Sequence, residues 1–466
     1  MKNTFLRQVA FAVGLLALNG TGRAAPVDPD KDISFAQELL INDHYVVEAW
    51  PKTQTRPGPR PLGIEAVLMG LSRDGTAKTA LLDWLKVWVS DCGSPSGSTE
   101  VIPVGQRLID RWKEDDGAAR LSDTEWRPNF DHAPFRLLAL VNRMDLQHRD
   151  ADGLPLNAGE GRLVYGVTLG PGNDGLALNA TVIFEYELAA QSEADVLLWA
   201  IKWHKLGQCF DKIGPEYCEA LAKLIADFTG CGAMPCKTNG SALNQIRTNE
   251  SQLSGVKLGD ERFPWRLREF RLMPGTGTFF AATTKQTPGA FVPDSLVAEY
   301  INSHEADILA MRHKVPAYYQ GTPFLARQVD LSQIGGPAWL LRDSNKSPLV
   351  KNPEARFQFA FNTCNGCHGF ETGTNFLHIS PRIPAESATL SFFLQDKSPV
   401  NQVDVPSSID HPELKEITHR RKIFAEILNG ARPTWITFLQ GTGSSSTVIP
   451  SQELLRLLAA RANREE

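Results

Sequence analysis

Cys364, Cys367 and His368 lie in the stretch Phe361-Asn362-Thr363-Cys364-Asn365-Gly366-Cys367-His368. Two thiols three positions apart fall on one side of a helical turn, and the next residue sets an imidazole beside them. In that order the thiols can add to the two vinyl groups of a haem while His368 binds the iron from the same side, which is the chemistry of C-x-x-C-H. Three other uses exist for these residue types. The cysteines can close a disulfide, act as a thioredoxin-like redox pair, or join His368 and His378 in a structural zinc site of two cysteines and two histidines. A disulfide or redox pair has no need of the adjacent histidine. No β-α-β pattern surrounds the motif, and Phe357, Phe359, Phe361, Phe370, Phe376, Phe392 and Phe393 could wall a flat apolar cofactor.

Other motifs fail on context. Gly170-Pro-Gly-Asn-Asp-Gly175 matches G-x-G-x-x-G, but a strand pattern follows it where a dinucleotide site needs a helix, and Asp174-Gly175 is hairpin chemistry. His304-Glu305 begins a metalloprotease pair, but Ile308 stands where the second histidine belongs. The chain has no G-x-S-x-G nucleophile elbow, no P-loop and no internal repeat.

The elements that must carry the motif fall into two regions. Runs at 135–142, 162–169 and 180–188 are rich in β-branched and aromatic residues and predict strands, with a further strand at 266–272. Helices are predicted at 76–90, 192–206, 217–228 and 294–312, with a short one near 35–41. Polar, proline-bearing residues 343–353 mark a junction. Beyond it the pattern is helical, at 353–362, 411–429 and 451–463. The expected architecture is an α+β N-terminal region with a central antiparallel sheet, residues 25–347, followed by a mainly α-helical domain, residues 348–466.

Lys2 and Arg7, the apolar run from Val9 to Leu18, and Gly22-Arg23-Ala24 predict a secretory signal peptide over residues 1–24. Without Lys2, Arg7 and Arg23, 45 basic residues face 53 acidic ones, a net charge of −8. That balance, with no basic run, argues against nucleic acid as a partner. No later stretch is apolar for long enough to span a bilayer. The expected location is therefore periplasmic or secreted. Five cysteines lie outside the motif, and export favours oxidation. Local bridges Cys209–Cys218 and Cys231–Cys236 are expected, with Cys92 left over.

The C-terminal region resembles small cytochrome c domains. Cys364-Asn365-Gly366-Cys367-His368, the preceding helix, and Asn375-Phe376-Leu377-His378 as the loop after the haem-binding turn carry that resemblance. It implies haem c, with Cys364 and Cys367 as thioether residues, His368 as proximal iron ligand, attachment outside the cytoplasm, and one-electron transfer to a redox partner that the sequence does not name. Leu140-Val-Asn-Arg-Met-Asp-Leu, Gly159-Glu-Gly-Arg162, Asn239 to Glu250 and Trp265-Arg-Leu-Arg-Glu-Phe resemble an uncharacterised group of secreted proteobacterial and myxobacterial proteins. Within these segments Asn142, Arg143, Asp145, Arg247, Asn249 and Glu250 are candidates to line a site or to serve buried hydrogen bonding. On the far side of the iron, Met is absent from residues 348–466, leaving His378, His411, His419 or an open position. The resemblance to the loop places His378 on the proximal side. An N-terminal working domain served by the haem, as in a peroxidase or other oxidoreductase or a binding module, is the rival functional reading.

Overall fold

The stretches predicted as strands pair in series in the computed structural model, which describes residues 25–54, 59–90, 104–150, 152–169, 176–250, 265–282, 287–289, 292–310, 313–326, 329–331, 338–374, 376–398 and 414–430. The strands of the main sheet are β1 (Leu40–Ile41), β2 (Phe135–Arg143), β3 (Asn157–Leu169), β4 (Leu176–Ala189), β5 (Leu243–Glu250), β6 (Trp265–Leu272), β7 (Phe279–Ala282) and β10 (Val329–Leu331). They form one eight-stranded sheet in the order β1-β2-β3-β4-β5-β6-β10, with β7 also on β6, and every pairing is antiparallel. Two-residue strands β8 (Tyr318–Tyr319) and β9 (Thr322–Pro323) form a separate hairpin. Leu169 opposite Leu176 brackets the glycine-rich stretch as a β-hairpin connection, and residues 170–175 themselves lie outside the described residues.

The helices are α1 (Trp50–Thr53), α2 (Ile64–Met69), α3 (Ala77–Ser90), α4 (Val104–Asp115), α5 (Glu193–Gln208), α6 (Pro215–Thr229), α7 (Asp294–Ser303), α8 (Glu305–Leu309), α9 (Pro353–Phe361), α10 (Cys364–Cys367) and α11 (Glu416–Leu428). Ser192 caps α5 by accepting from the Asp195 amide, as its sequence predicts. The helix expected over 294–312 breaks at His304 into α7 and α8. The short helix expected near 35–41 is a π-helical turn over Phe35–Leu39 that runs into β1. The signal peptide and the helix expected at 451–463 lie outside the described residues. No helix among the described residues is long and apolar enough to cross a membrane.

Strand alternation gives the sheet two unlike faces. One presents Leu163, Tyr165, Phe184, Tyr186, Ile246 and Phe270 to Trp84 and Trp88 of α3 and to α5 and α6 in the main core. The other presents Arg162, Glu185, Arg247 and Glu269, and beside them Val164 and Ile183. Onto this second face folds the C-terminal region. Leu40, Leu138, Val141 and Val164 of β1–β3 share a core with Ile379, Ala388, Phe393, Leu394 and Ile417. Ile423, Phe424, Ala425 and Ile427 of α11 join the main core, and Phe359 of α9 packs 5.9 Å from Tyr300 of α7. The boundary expected near 348 is thus crossed by apolar packing on both sides. Pro353 there is the first residue of α9, behind the Asn352 cap.

The four described cysteines outside the motif are free thiols, so neither expected bridge is formed. Cys218 is fully buried on α6 among core residues, whereas Cys209 ends α5 at the exposed surface. Cys231 and Cys236 are both exposed. Cys92 lies outside the described residues.

Candidate metal and haem centre

Helix α10 is a single turn that carries Cys364 and Cys367 at its two ends, with His368 as its C-cap. Gly366 is needed inside it. A Cβ there would stand 2.1 Å from the Ala360 carbonyl oxygen, so only glycine lets α10 close onto the end of α9. Below the turn, Thr363 accepts from the Trp339 indole at 2.9 Å and donates to the Ala360 carbonyl. Thr372 closes it from the other side by donating to the Cys367 carbonyl at 2.6 Å. A buried Arg356–Glu371 pair, 2.6 Å, ties α9 to the loop that follows.

That loop turns the chain back over the motif. Gly373 is left-handed, with φ 65°, and so is Phe376, with φ 62°. A non-glycine residue in that region stores strain of order 1–3 kcal/mol. The Phe376 carbonyl so placed accepts from His368 Nδ1 at 2.7 Å. Because a carbonyl only accepts, Nδ1 carries the proton, and Nε2 is the nitrogen His368 has to offer an ion. His378 follows two residues later, held by the Ile379–Leu390 bridge and by its Nδ1, which lies 3.1 Å from Ser391 Oγ. Its Nε2 is 3.5 Å from Cys367 Sγ, and its ring centroid is 4.5 Å from that of His368. One donor atom from each of Cys367, His368 and His378 falls within 4.8 Å of the others. Cys364 stands outside this group, against Leu267, Ala326 and Phe376.

Burial sets the protonation of all four side chains. It pushes the Cys367 thiol up to about 12, with nearby Glu416 adding to the effect. It raises Cys364 as well, although a hydrogen bond with Thr287 works in the other direction. Burial brings His368 down to about 4 against the pull of the Phe376 carbonyl. His378 is driven well below the usual imidazole value by burial and by the neighbouring His368, Arg420 and Arg143 charges. Near neutral pH the cluster is therefore two thiols and two uncharged imidazoles.

The floor beneath the turn is ionic. Arg162 bridges Glu160 at 2.6 Å and Glu185 at 3.1 Å, while Arg247 bridges Glu185 and Glu269 at 3.3 Å each. Arg143 joins Asp145 at 2.7 Å and Glu416 of α11 at 3.3 Å, and Glu416 also holds Arg420. Of the six polar residues singled out in the sequence, Arg143, Asp145 and Arg247 belong to this floor. Asn249 shares their face and donates to Thr181 at 3.2 Å. Asn142 and Glu250 turn to the other side, to the Glu38 carbonyl and to Trp88 with Arg268 respectively. Glu160, Arg162, Glu185, Glu269, Glu416 and Arg420 were not expected at the site. For the strand residues the signal was charged residues two apart in strand territory, and for Glu416 and Arg420 an i,i+4 pair on a helix.

The seven phenylalanines do not make one wall. Phe361 and Phe393 lie 5.9 Å apart beside His378, and Phe376 covers Cys364. Phe359 belongs to the core with Tyr300 and Trp339, and Phe392 is 54% exposed. Of the distal candidates, His378 sits beside His368 and Cys367. His419 lies among the charges of Asp145, Glu416, Arg143 and Arg420, and His411 is outside the described residues. No family, curated protein or solved structure matches this chain.

Two features fit a covalently held haem. The donor set has two thiols at the ends of one turn, and His368 is oriented through Nδ1 as an axial ligand needs. Cys364, Cys367, His368 and His378 are each largely but not completely buried.

Proposed function

We propose that the chain is an exported c-type haem protein that passes single electrons through one haem held by Cys364, Cys367 and His368. The observation that carries this reading is the His368 Nδ1–Phe376 carbonyl hydrogen bond of 2.7 Å at the end of a C-x-x-C-H turn. It fixes the ring and its tautomer, which is what an iron-ligating histidine requires. When bound, haem supplies a one-electron redox couple whose potential depends on axial ligand, burial and nearby charge. The chain's own residues would hold it by two thioethers, orient His368, and surround it with the fixed charges of Arg143, Arg247 and Glu416. With no Met in residues 348–466, a sulfur axial ligand from this region is ruled out, and the potential should lie below that of a Met-ligated cytochrome c. Transport to the periplasm or beyond, and an N-terminal region that docks a redox partner, belong to the same proposal.

The test is co-expression with a cytochrome c maturation system, followed by haem staining on a denaturing gel. Stain should stay with the chain after acidic acetone extraction. Cys364→Ser and Cys367→Ser should each leave at most one thioether. His368→Ala should keep the stain but change the iron spectrum. Haem fully extracted by acid would sink the proposal.

A further inference from the structure

We propose that the chain to which haem has not been attached carries a compact three-donor metal site, made by Cys367, His368 and His378, that takes a zinc-class divalent ion and leaves one coordination position open. It concerns the unloaded chain and stands whether or not haem is later attached.

A tetrahedral zinc ion with Zn–S of about 2.3 Å and Zn–N of about 2.0–2.1 Å sets sulfur and nitrogen about 3.5 Å apart. Cys367 Sγ and His378 Nε2 are 3.5 Å apart. Both imidazoles are anchored through Nδ1, His368 to the Phe376 carbonyl and His378 beside Ser391 Oγ at 3.1 Å. A histidine held through Nδ1, as His368 is by the Phe376 carbonyl, presents Nε2 as its ligating nitrogen, the arrangement in which second-shell partners orient metal-bound histidines. All three donors fall within 4.8 Å of one another and keep partial exposure, so an ion has an entry path. Cys364 is set apart against Leu267, Ala326 and Phe376. The expected structural site of two cysteines and two histidines is thus reduced by one ligand, and three protein ligands with a vacant position are the pattern of zinc sites that bind water or an exogenous ligand.

Binding balances simply. Cys367 loses its thiol proton to solvent, and the thiolate and two neutral imidazoles bind the ion. Because Cys367 is also a thioether residue of the proposed haem, the ion and covalent haem exclude each other at this turn.

The experiment uses the full chain made without a cytochrome c maturation system and kept reduced. Cobalt(II) alone is the probe, with zinc as competitor. One equivalent should bind with a thiolate-to-cobalt charge-transfer band and the intense visible bands of a four-coordinate ion, both erased by zinc. Cys364→Ser should keep the whole spectrum, Cys367→Ser should lose the charge-transfer band, and His378→Ala should weaken binding at least tenfold. Loss of half the charge-transfer intensity in Cys364→Ser would show two thiolates and overturn the three-donor site. Unchanged affinity in His378→Ala would do the same, as would no cobalt binding at all. Cys364→Ser leaves the three proposed donors untouched, so its spectrum decides the matter even where His378→Ala fails to fold. Haem staining is read on separately matured protein, so either result can fail alone.

Discussion

The two faces of the central sheet are covered by different means. On the face under α3, Trp84 stacks on Trp88 at 5.0 Å and meets Phe184 edge-on at 5.8 Å, both indoles being fully buried. Even the charges there, Glu250 and Arg268, are sealed and paired to Trp88 and to each other. On the face under the C-x-x-C-H turn, Arg143, Arg162 and Arg247 alternate with carboxylates, and their side chains remain 15–25% exposed. The first face is held by packing, which tolerates neither loss nor gain of volume. The second combines a smaller apolar cluster with charge pairs that stay partly open to water, and its strength depends on protonation.

That contrast can be broken by experiment. The largest effect is expected for Trp84→Ala, which should cost about 3–5 kcal/mol in urea unfolding, as aromatic-to-alanine changes in cores do. Glu185→Gln on the ionic face should cost less, about 1–3 kcal/mol, because Arg162 and Arg247 keep Glu160 and Glu269 as partners. A loss for Glu185→Gln as large as that for Trp84→Ala would show that the ionic face is as sealed as the other.

The finest test is acidification of the metal-free chain. His368 and His378 have folded values below the ordinary 6.5, so the unfolded chain takes up protons first as pH falls. Their contribution is whole above about 6.5; that of His368 is lost on the way down to about 4, and that of His378 declines over the same fall in pH. Asp145, held to about 2 by Arg143 and Arg420 against its burial, extends the loss below about 4, as do Glu160 and Glu416, whose folded values are also lowered. Stability measured by urea titration should therefore fall continuously below pH 6.5. Trp84→Ala should follow a parallel curve, since the indole carries no titrating proton, and a changed slope would couple the two faces.

The long strands were legible because Val, Ile, Phe and Tyr crowd 135–142, 162–169 and 180–188. Strand β5 was not, because Leu243–Glu250 reads Leu-Asn-Gln-Ile-Arg-Thr-Asn-Glu, with its polar residues paired across strands on both faces. The C-x-x-C-H turn and His378 could be named from spacing alone. That Cys367, His368 and His378 would meet while Cys364 stands apart could not, since it depends on the left-handed Phe376, and left-handed backbone at a phenylalanine has no sequence signal. Nor could the ionic floor, whose members come from five strands, β2 to β6, and α11. The separate C-terminal domain was expected because the composition changes near 348, but composition does not report which core a helix joins. Ile423 and Phe424 complete the main core, 75 residues and more past that point.

Asn429, just beyond α11, clasps Val27 through both main-chain atoms, at 2.8 and 3.1 Å, across 402 residues of chain. A polypeptide made from its N-terminus thus leaves the seat of α11 bare until almost the last described residue has emerged. From the end of α5 at Gln208 to the start of α11 at Glu416, at about 5–20 residues per second, that wait lasts roughly 10–40 s. Throughout it the apolar side of α5 that α11 will cover, where His204 comes to meet Phe424, stays open to mispairing.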